Sequence, residues 1–184
     1  MVCYCERADV PDVSYSAEQL PFSSDDDIWV IFGSRSFTAT DGSTREQAKR
    51  VLNEFDDRDL EHPDAIVSGG ADGADAVAEA VALHLGVPMV VLAVNGPSDG
   101  TAFRRDLADA PWVVDTVTSY DGEQDDPTSG KGAYLTRNCM MAEFVGQHDG
   151  YGFAIWDGDS NGTAHMIDSC RSHGVETVTW EFSS

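Results

Sequence analysis

Three short segments combine glycines with hydroxyl-bearing and charged residues, and each directly follows an apolar run. They are Gly33-Ser34-Arg35-Ser36, Ser68-Gly69-Gly70-Ala71-Asp72-Gly73-Ala74-Asp75 and Asp157-Gly158-Asp159-Ser160-Asn161-Gly162-Thr163. Glycine permits positive φ and close approach of a ligand to the backbone, and a turn that opens a helix presents unpaired N–H groups to phosphate. These segments therefore predict phosphate binding, although a plain βα turn uses similar residues. None of them matches the dinucleotide fingerprint or the Walker P-loop.

The same segments carry three carboxylates that could act in acid–base chemistry, namely Asp72, Asp75 and Asp157. Each also has a structural interpretation, because Asp72 or Asp75 could cap the following helix and Asp157 could stabilise its turn. No set of His, Cys and carboxylate residues has the spacing of a metal site, so we expect no metal, and no cofactor is certain.

The elements that position these segments alternate between strands and helices. Apolar runs predict strands at 28–32, 65–68, 88–94, 112–117, 152–156 and 175–180. Helical spacing predicts helices over about 44–57, 72–85, 103–110, 133–145 and 163–173. The polar stretch 120–132 predicts a loop. This alternation predicts an α/β fold with a doubly wound, mainly parallel sheet and helices on both faces, in which the three turns meet at the carboxyl edge.

The domain boundary is predicted near the acidic run at 25–27. Residues 1–27 have no clean periodicity and are predicted to form an N-terminal extension, whereas 28–184 form one domain. Four tryptophans lie in or beside predicted strands and are expected to pack in the core rather than to stack on a base. They are Trp29, Trp112, Trp156 and Trp180.

The charge of the chain indicates the salt concentration at which the protein functions. Acidic residues number 33 against 11 basic ones, which gives a net charge of -22, although 41% of the residues are hydrophobic. Because molar salt screens such self-repulsion, the composition favours a molar-salt cytoplasm, as in a halophilic archaeon or its virus. The same charge disfavours broad binding to nucleic acid. The sequence shows no signal peptide or apolar run of membrane-spanning length, so we expect a cytoplasmic protein that contacts no membrane.

Four motifs resemble, in this order, those of the SLOG superfamily, most closely its YspA-like branch. They are Gly33-Ser34-Arg35, Ser68-Gly69-Gly70-Ala71-x-Gly73-Ala74-Asp75, Arg137-Asn138-x-Met140 and Gly158-x-Ser160-x-Gly162-Thr163. Relatives include the Lonely Guy-type phosphoribohydrolases and the Rossmann-like domain of the DNA-processing protein DprA. The resemblance covers about residues 28–181. It implies a Rossmann-like fold that binds a nucleotide or nucleotide-derived ligand, often in a homodimer.

The resemblance also implies which residues touch that ligand. Gly69, Gly70 and Gly73 would line the phosphate or ribose, while Arg137 would supply a cation and Asn138 an amide. An arginine fork suits phosphate because it donates two parallel hydrogen bonds. The segment from Gly158 to Thr163 would form a second phosphate loop. The full predicted ligand-binding set is Gly33, Ser34, Arg35, Gly69, Gly70, Ala71, Gly73, Asp75, Arg137, Asn138, Gly158, Ser160, Gly162 and Thr163.

One position departs from the hydrolase pattern. The phosphoribohydrolases carry a glutamate three residues after the motif threonine, and Met166 stands there in this chain. A thioether cannot transfer a proton as a carboxylate can. The leading hypothesis is therefore a nucleotide-binding module, with a sensor role among its possible uses. The alternatives are a hydrolase of nucleotide N-glycosidic or phosphoester bonds that uses Asp72, Asp75 or Asp157, and DNA binding like that of DprA.

Overall fold

The computed structural model describes residues 17–37, 44–92, 113–114 and 129–183. The predicted helix at 103–110, most of the predicted strand at 112–117 and the predicted loop as far as residue 128 lie outside the described residues. None of the helices in the described part of the chain is both long and apolar enough to span a bilayer.

Strands and helices alternate along the described chain. The strands are β1 (Ile28–Gly33), β2 (Ala65–Ser68), β3 (Met89–Val91), β4 (Val113–Val114), β5 (Tyr151–Trp156) and β6 (Glu176–Glu181). The helices are α1 (Thr44–Asp57), α2 (Ala74–Leu85), α3 (Ser129–Gln147) and α4 (Asn161–Ser172), and a 3-10 turn spans Ala17–Gln19. As the sequence predicts, α2 is followed by Gly86 and α4 by Gly174, both at positive φ.

Several predicted boundaries were wrong. The strand β3 ends at Val91 rather than Val94, and α2 begins at Ala74 rather than Asp72. The helix α3 begins at Ser129, so that residues 129–132, predicted as loop, are helical. Glycine lowers helix propensity by only about 1 kcal/mol, which the remainder of a long helix can offset. The helix α4 begins at Asn161 rather than Thr163, because Ser160 caps it.

All neighbouring strands of the sheet run parallel. The six-stranded sheet has the order β4-β3-β2-β1-β5-β6. The chain thus adds strands on one side of β1 and then returns to add β5 and β6 on the other side. This is the doubly wound, Rossmann-like α/β fold that the alternation predicts, and its topological switch point lies between β1 and β5.

Each face of the sheet is covered by a pair of helices. Trp29 and Ile31 of β1 point to the face covered by α1 and α2, whereas Val30 and Phe32 point to the face covered by α3 and α4. This alternation follows from the two-residue period of a strand. On the α3 face, Phe22 packs its ring 6.2 Å from that of Phe144, so part of the segment before β1 lies on the domain.

The tryptophan prediction holds in part. Trp29 and Trp180 are core residues, 5% and 8% exposed, whereas Trp112 lies outside the described residues. Trp156 is half-buried, and its Nε1–H donates to the carbonyl of Ser160 at 3.3 Å. This hydrogen bond stabilises the loop after β5.

Phe55 provides a test of the core on the α1 face. Its ring lies 4.8 Å from that of Trp29 and 4.6 Å from that of Phe153, and the residue is fully buried. We expect Phe55→Ala to lower the free energy of unfolding by about 3–5 kcal/mol, measured by denaturant titration in molar KCl. Leu83→Ala, at an exposed site on α2, should cost less than about 1 kcal/mol. Equal losses would contradict the assigned packing.

Candidate functional site

Ser34 joins the loops that converge at the switch point, and its side chain is fully buried. Its backbone N–H donates to the carbonyl of Ile155 at 2.8 Å, and its hydroxyl accepts the N–H of Asp157 at 3.0 Å. Its carbonyl accepts the N–H of Ala74, at the start of α2, at 3.3 Å. One residue therefore connects the ends of β1 and β5 to the first turn of α2.

Two glycines allow this close approach of loops. A Cβ on Gly33 would collide with the carbonyl oxygen of Ile155. Gly73 has φ +78°, and a Cβ there would lie 2.5 Å from the Cα of Arg35 and 2.7 Å from the carbonyl oxygen of Ser34. Gly73 thus allows its own loop to pack closely against the loop after β1.

A cavity of about 510 Å³ opens above the carboxyl ends of the strands, between these loops, α3 and α4. We call it the switch-point cavity. The predicted ligand-binding residues that line it are Gly33, Arg35, Ala71, Asp75, Arg137, Asn138, Ser160, Gly162 and Thr163. The predicted residues that do not line it are Ser34, Gly69, Gly70, Gly73 and Gly158.

Gly69, the first of the paired glycines after β2, contacts a buried arginine. The carbonyl of Gly69 accepts a hydrogen bond from Nη1 of Arg137 at 2.7 Å, and a Cβ on Gly69 would lie 2.6 Å from the guanidinium carbon. Gly70 is buried and has φ 66°, and its N–H donates to the hydroxyl of Ser68 at 3.3 Å. The resemblance implies that both glycines line a phosphate or ribose, and in this structure Gly69 lies against the guanidinium of Arg137.

Arg137 is a cation held almost entirely inside the protein, with 12% of its side chain exposed. Its Nη1 lies 3.6 Å from Oδ2 of Asp75, and its Nη2 donates to the amide oxygen of Asn138 at 3.3 Å. Its buried Nε–H has no partner among the described residues. Burial lowers the pKa of Arg137, and the neighbouring Asp75 raises it. The guanidinium is thus fixed in place with one donor unused.

Tyr134 brings a second arginine to the same place. Its ring centroid lies 5.4 Å from the guanidinium carbon of Arg137 and 5.0 Å from that of Arg35. Cation–π attraction holds both guanidinium groups near one ring, and all three residues line the cavity. Two positive charges therefore meet in a chain whose net charge is -22.

Asn138 connects α3 to the first turn of α4. Its Nδ2–H donates to the carbonyl of Gly162 at 3.2 Å and lies 3.4 Å from Nδ1 of His165. Because its amide oxygen accepts from Arg137, both ends of the amide are engaged within the protein. Asn138 positions its neighbours in this structure.

The first turn of α4 presents free N–H groups to the cavity. The hydroxyl of Ser160 accepts the N–H of Thr163 at 3.4 Å and the hydroxyl proton of Thr163 at 3.0 Å. Within the described chain, no hydrogen bond takes up the N–H groups of Asn161 and Gly162, both of which line the cavity. The positive end of a 12-residue helix dipole therefore faces the cavity.

Asp157 is held as an anion. Its Oδ2 accepts the hydroxyl of Ser36 at 2.6 Å, and its Oδ1 accepts the N–H groups of Ser160 at 2.8 Å and Asp159 at 3.1 Å. The Ser36 hydrogen bond is the main cause that lowers the pKa of Asp157 to about 2. Asp157 therefore cannot act as a general acid at neutral pH. It stabilises the turn after β5, which confirms the structural interpretation of this residue made from the sequence.

The other two candidate carboxylates differ in burial. The interpretation of Asp72 or Asp75 as a helix cap was wrong, because Gly73 is the N-cap of α2 and no side chain caps it. Asp75 is 4% exposed, and its Oδ2 accepts the N–H of Ala71 at 3.1 Å beside Arg137. Asp72 is exposed, lines the cavity and has no hydrogen-bond partner in the described part of the chain.

Apolar side chains form the floor of the cavity. Met166, which stands at the position of the hydrolase glutamate, is 1% exposed and lines the cavity. Its neighbour His165 does not line it. The apolar lining residues are Phe32, Leu135, Met141 and Met166. No group of three or more His, Cys, Asp or Glu residues in the described ranges could hold a metal ion.

Sequence reasoning missed several lining residues. Ser36 and Asn161 lie inside the glycine-bearing segments, so their polar side chains beside glycines were an available signal. Tyr134 precedes Arg137 by three residues on α3, which is the spacing of neighbours on one helix face, and it contacts the two arginines. The apolar floor carries no such signal, because those residues have the pattern of ordinary core positions.

Comparison with known proteins supports the fold. No protein-family model matches the chain, and no curated protein matches it. Among solved structures, the chain is similar to DNA processing protein A (DprA) from Streptococcus pneumoniae, with a TM-score of 0.55 and 21% sequence identity. The match covers 85% of this chain but 50% of that one, so the chain spans about half the length of the protein that it resembles. This likeness shows a shared Rossmann-like fold.

The hydrogen bond from Ser36 gives a test of the loop after β5. Because it lowers the pKa of Asp157, we expect Ser36→Ala to raise that pKa from about 2 toward its ordinary value of 3.8, measured by NMR titration of the carboxyl carbon. A pKa lowered by folding stabilises the protein above the unfolded pKa, and this contribution is lost as the pH falls through the folded pKa. The variant should therefore lose less stability over that acidic range.

The matched control is Ser172→Ala, at an exposed site on α4 where the hydroxyl donates to the carbonyl of Asp168 at 2.9 Å. It should leave the pKa of Asp157 unchanged. An unchanged pKa in Ser36→Ala as well would contradict the assigned hydrogen bond.

Proposed function

We propose that this chain binds a nucleotide or a nucleotide-derived ligand in the switch-point cavity. The observation that carries this proposal is the meeting of three positive groups around one cavity in an acidic chain. The guanidinium groups of Arg35 and Arg137 lie at one ring, and the N–H groups of Asn161 and Gly162 face the same space. Phosphate is the common biological anion that both arginine side chains and helix N-termini bind.

The remaining lining favours a nucleotide over free phosphate. A cavity of about 510 Å³ lies in the usual range for small-molecule sites, roughly 300–1,000 Å³. The apolar floor around Leu135 and Met141 offers a surface for a base, whereas phosphate alone has no use for one. The carboxylates of Asp72 and Asp157 can accept hydrogen bonds from ribose hydroxyls. Their negative charge would limit how many phosphates the cavity tolerates.

The context of this binding follows from the composition and the resemblance. An acidic surface suits a cytoplasm of molar salt, and the SLOG resemblance, with its YspA-like branch, implies a homodimer. In such a setting a nucleotide-binding module without the catalytic glutamate would act as a sensor. Because exposed charge pairs are screened at high salt, binding would rest on the buried Arg137 more than on the exposed Arg35.

Thermal unfolding in molar KCl tests the proposal with a panel of adenine and guanine nucleotides, NAD and ADP-ribose. A ligand at roughly 100 times its dissociation constant should stabilise the folded protein by about 2.7 kcal/mol. We expect at least one ligand to raise the melting temperature of the wild type. Arg137→Ala should abolish the rise, because it removes the buried cation.

The charge-matched control is Arg171→Ala, which removes an arginine that is 74% exposed and paired with Asp168 on α4. It should retain the ligand-induced shift. Absence of a shift with every ligand, or an equal shift in Arg137→Ala, would overturn the proposal.

The hydrolase alternative depends on Asp72, the exposed carboxylate of the cavity. We expect no release of free base from a nucleoside monophosphate, because Met166 cannot transfer a proton and both carboxylate oxygens of Asp157 already accept hydrogen bonds from the loop residues around it. Asp75 is engaged by Ala71 and Arg137. Chromatography of the reaction products provides the measurement. Release of base that is lost in Asp72→Asn and retained in Asp168→Asn would instead assign hydrolysis to Asp72.

DNA binding is the third candidate function. The printed name of DprA refers to DNA processing, and this chain shares its fold. Non-specific DNA binding depends on Lys and Arg neutralising many phosphates, and a net charge of -22 opposes it. The arginines of the switch-point cavity provide charge for one nucleotide rather than for a strand.

A further inference from the structure

Arg35 is an exposed cation without a carboxylate partner. Among the described residues, no hydrogen bond and no ion pair engages its guanidinium. Other exposed arginines of this acidic chain do pair with carboxylates. Arg58 lies 3.2 Å from Glu54, and Arg171 lies 2.7 Å from Asp168. Arg35 instead lines the switch-point cavity and contacts an aromatic ring there.

The ring that contacts Arg35 belongs to Tyr134 on α3. Its centroid lies 5.0 Å from the guanidinium carbon of Arg35 and 5.4 Å from that of Arg137. Because Arg35 follows β1 and Tyr134 lies on α3, the contact joins two walls of the cavity. Tyr134 is 39% exposed, so its ring contributes little to the hydrophobic core.

An aromatic ring holds a guanidinium differently from a carboxylate. The ring attracts the cation without taking up its N–H donors, and it adds no negative charge. A carboxylate accepts two parallel hydrogen bonds from the guanidinium and offsets its charge. Arg35 therefore keeps both its positive charge and its donors available to an anion in the cavity.

The contact with Tyr134 also restricts the Arg35 side chain before any ligand arrives. A free arginine side chain loses considerable rotamer entropy when a ligand fixes it. The ring imposes part of that restriction in advance, so less entropy remains to be lost on binding. In molar salt the attraction between exposed charges is screened, and the position of the guanidinium then matters more than its distant field.

We propose that Tyr134 is a positioning residue of the switch-point cavity, which holds Arg35 where it meets the phosphate that Arg137 also binds. This inference rests on the proposed function, since it concerns the anion of the same cavity. Tyr134 acts mainly through Arg35, because Arg137 is also held by Gly69 and Asn138. The affinity of the cavity for phosphate therefore depends on an aromatic side chain at position 134.

Inorganic phosphate is the probe, because it has no base that could stack on the ring. It is titrated into the full chain in molar KCl at constant pH, and the readout is the amide N–H signals of Asn161 and Gly162. Tyr134→Leu removes the ring and should raise the dissociation constant of phosphate by about fivefold. Tyr134→Phe keeps the aromatic face and should restore most of the lost affinity. Equal dissociation constants in the wild type and Tyr134→Leu would overturn the inference.

Two further measurements separate positioning from a general structural effect. Without phosphate, ¹⁵N relaxation of the Arg35 Nε–H should show a more mobile side chain in Tyr134→Leu, and Tyr134→Phe should reverse this change. In an Arg35→Ala background, Tyr134→Leu should weaken phosphate binding less than it does in the wild type, because residues in contact are not additive. An equal loss in both backgrounds would contradict the role given to Arg35.

The matched control is Tyr151→Leu, which removes a tyrosine of nearly equal exposure, 37%, from the amino end of β5. It should bind phosphate as the wild type does. If the wild type binds neither phosphate nor any nucleotide of the panel, the proposed function fails together with this inference. If the wild type binds a nucleotide but not phosphate, or binds phosphate no better than Tyr134→Leu, only this inference fails.

Discussion

The buried hydrogen bonds of Ser34 are the constraint on which the switch-point cavity depends. Its backbone N–H, carbonyl and hydroxyl reach two separate pieces of chain, the end of β5 at Ile155 and Asp157 and the start of α2 at Ala74. In a doubly wound sheet, the strands on either side of the switch point send their chains in opposite directions, which opens a crevice there. Ser34 joins the chain segments beneath that crevice without lining the cavity. The walls are then set by the first turns of α2 and α4, and their positions relative to each other follow from one residue.

The second physical theme is the stabilisation of cations inside a strongly acidic chain. Arg137 is buried, which costs solvation free energy, and a backbone carbonyl, a carboxylate and an amide oxygen together compensate for it. The glycine at position 69 has no side chain, and this leaves the space that the guanidinium occupies. A strongly acidic chain can thus hold two arginines at one cavity, because salt screens exposed charges far more than buried ones.

Much of the fold could be predicted from the sequence, because apolar runs and glycine stops are local signals. The strands predicted at 28–32 and 152–156, and the helix predicted to end before Gly86, follow directly from such patterns. The start of α3 could not be predicted, since its glycines suggest a loop when they are considered without the rest of the helix. At the site, the segments that converge were predicted, but the roles of individual residues were not. Gly69 and Gly73 were expected to line a ligand, and the close packing that they allow against Arg137 and Arg35 was not expected. Such contacts join residues far apart in sequence, so no local pattern contains them.

The most direct test of the central claim is an NMR titration of the protein in molar KCl with a nucleoside monophosphate. The signals to follow are the Nε–H of Arg137, which has no partner among the described residues, and the amide N–H groups of Asn161 and Gly162. If the switch-point cavity binds the phosphate, these three signals shift together, with one dissociation constant, while the indole signal of Trp29 at the opposite edge stays unchanged. Saturating nucleotide that leaves all three signals in place, or that shifts residues elsewhere, would contradict this account of the cavity.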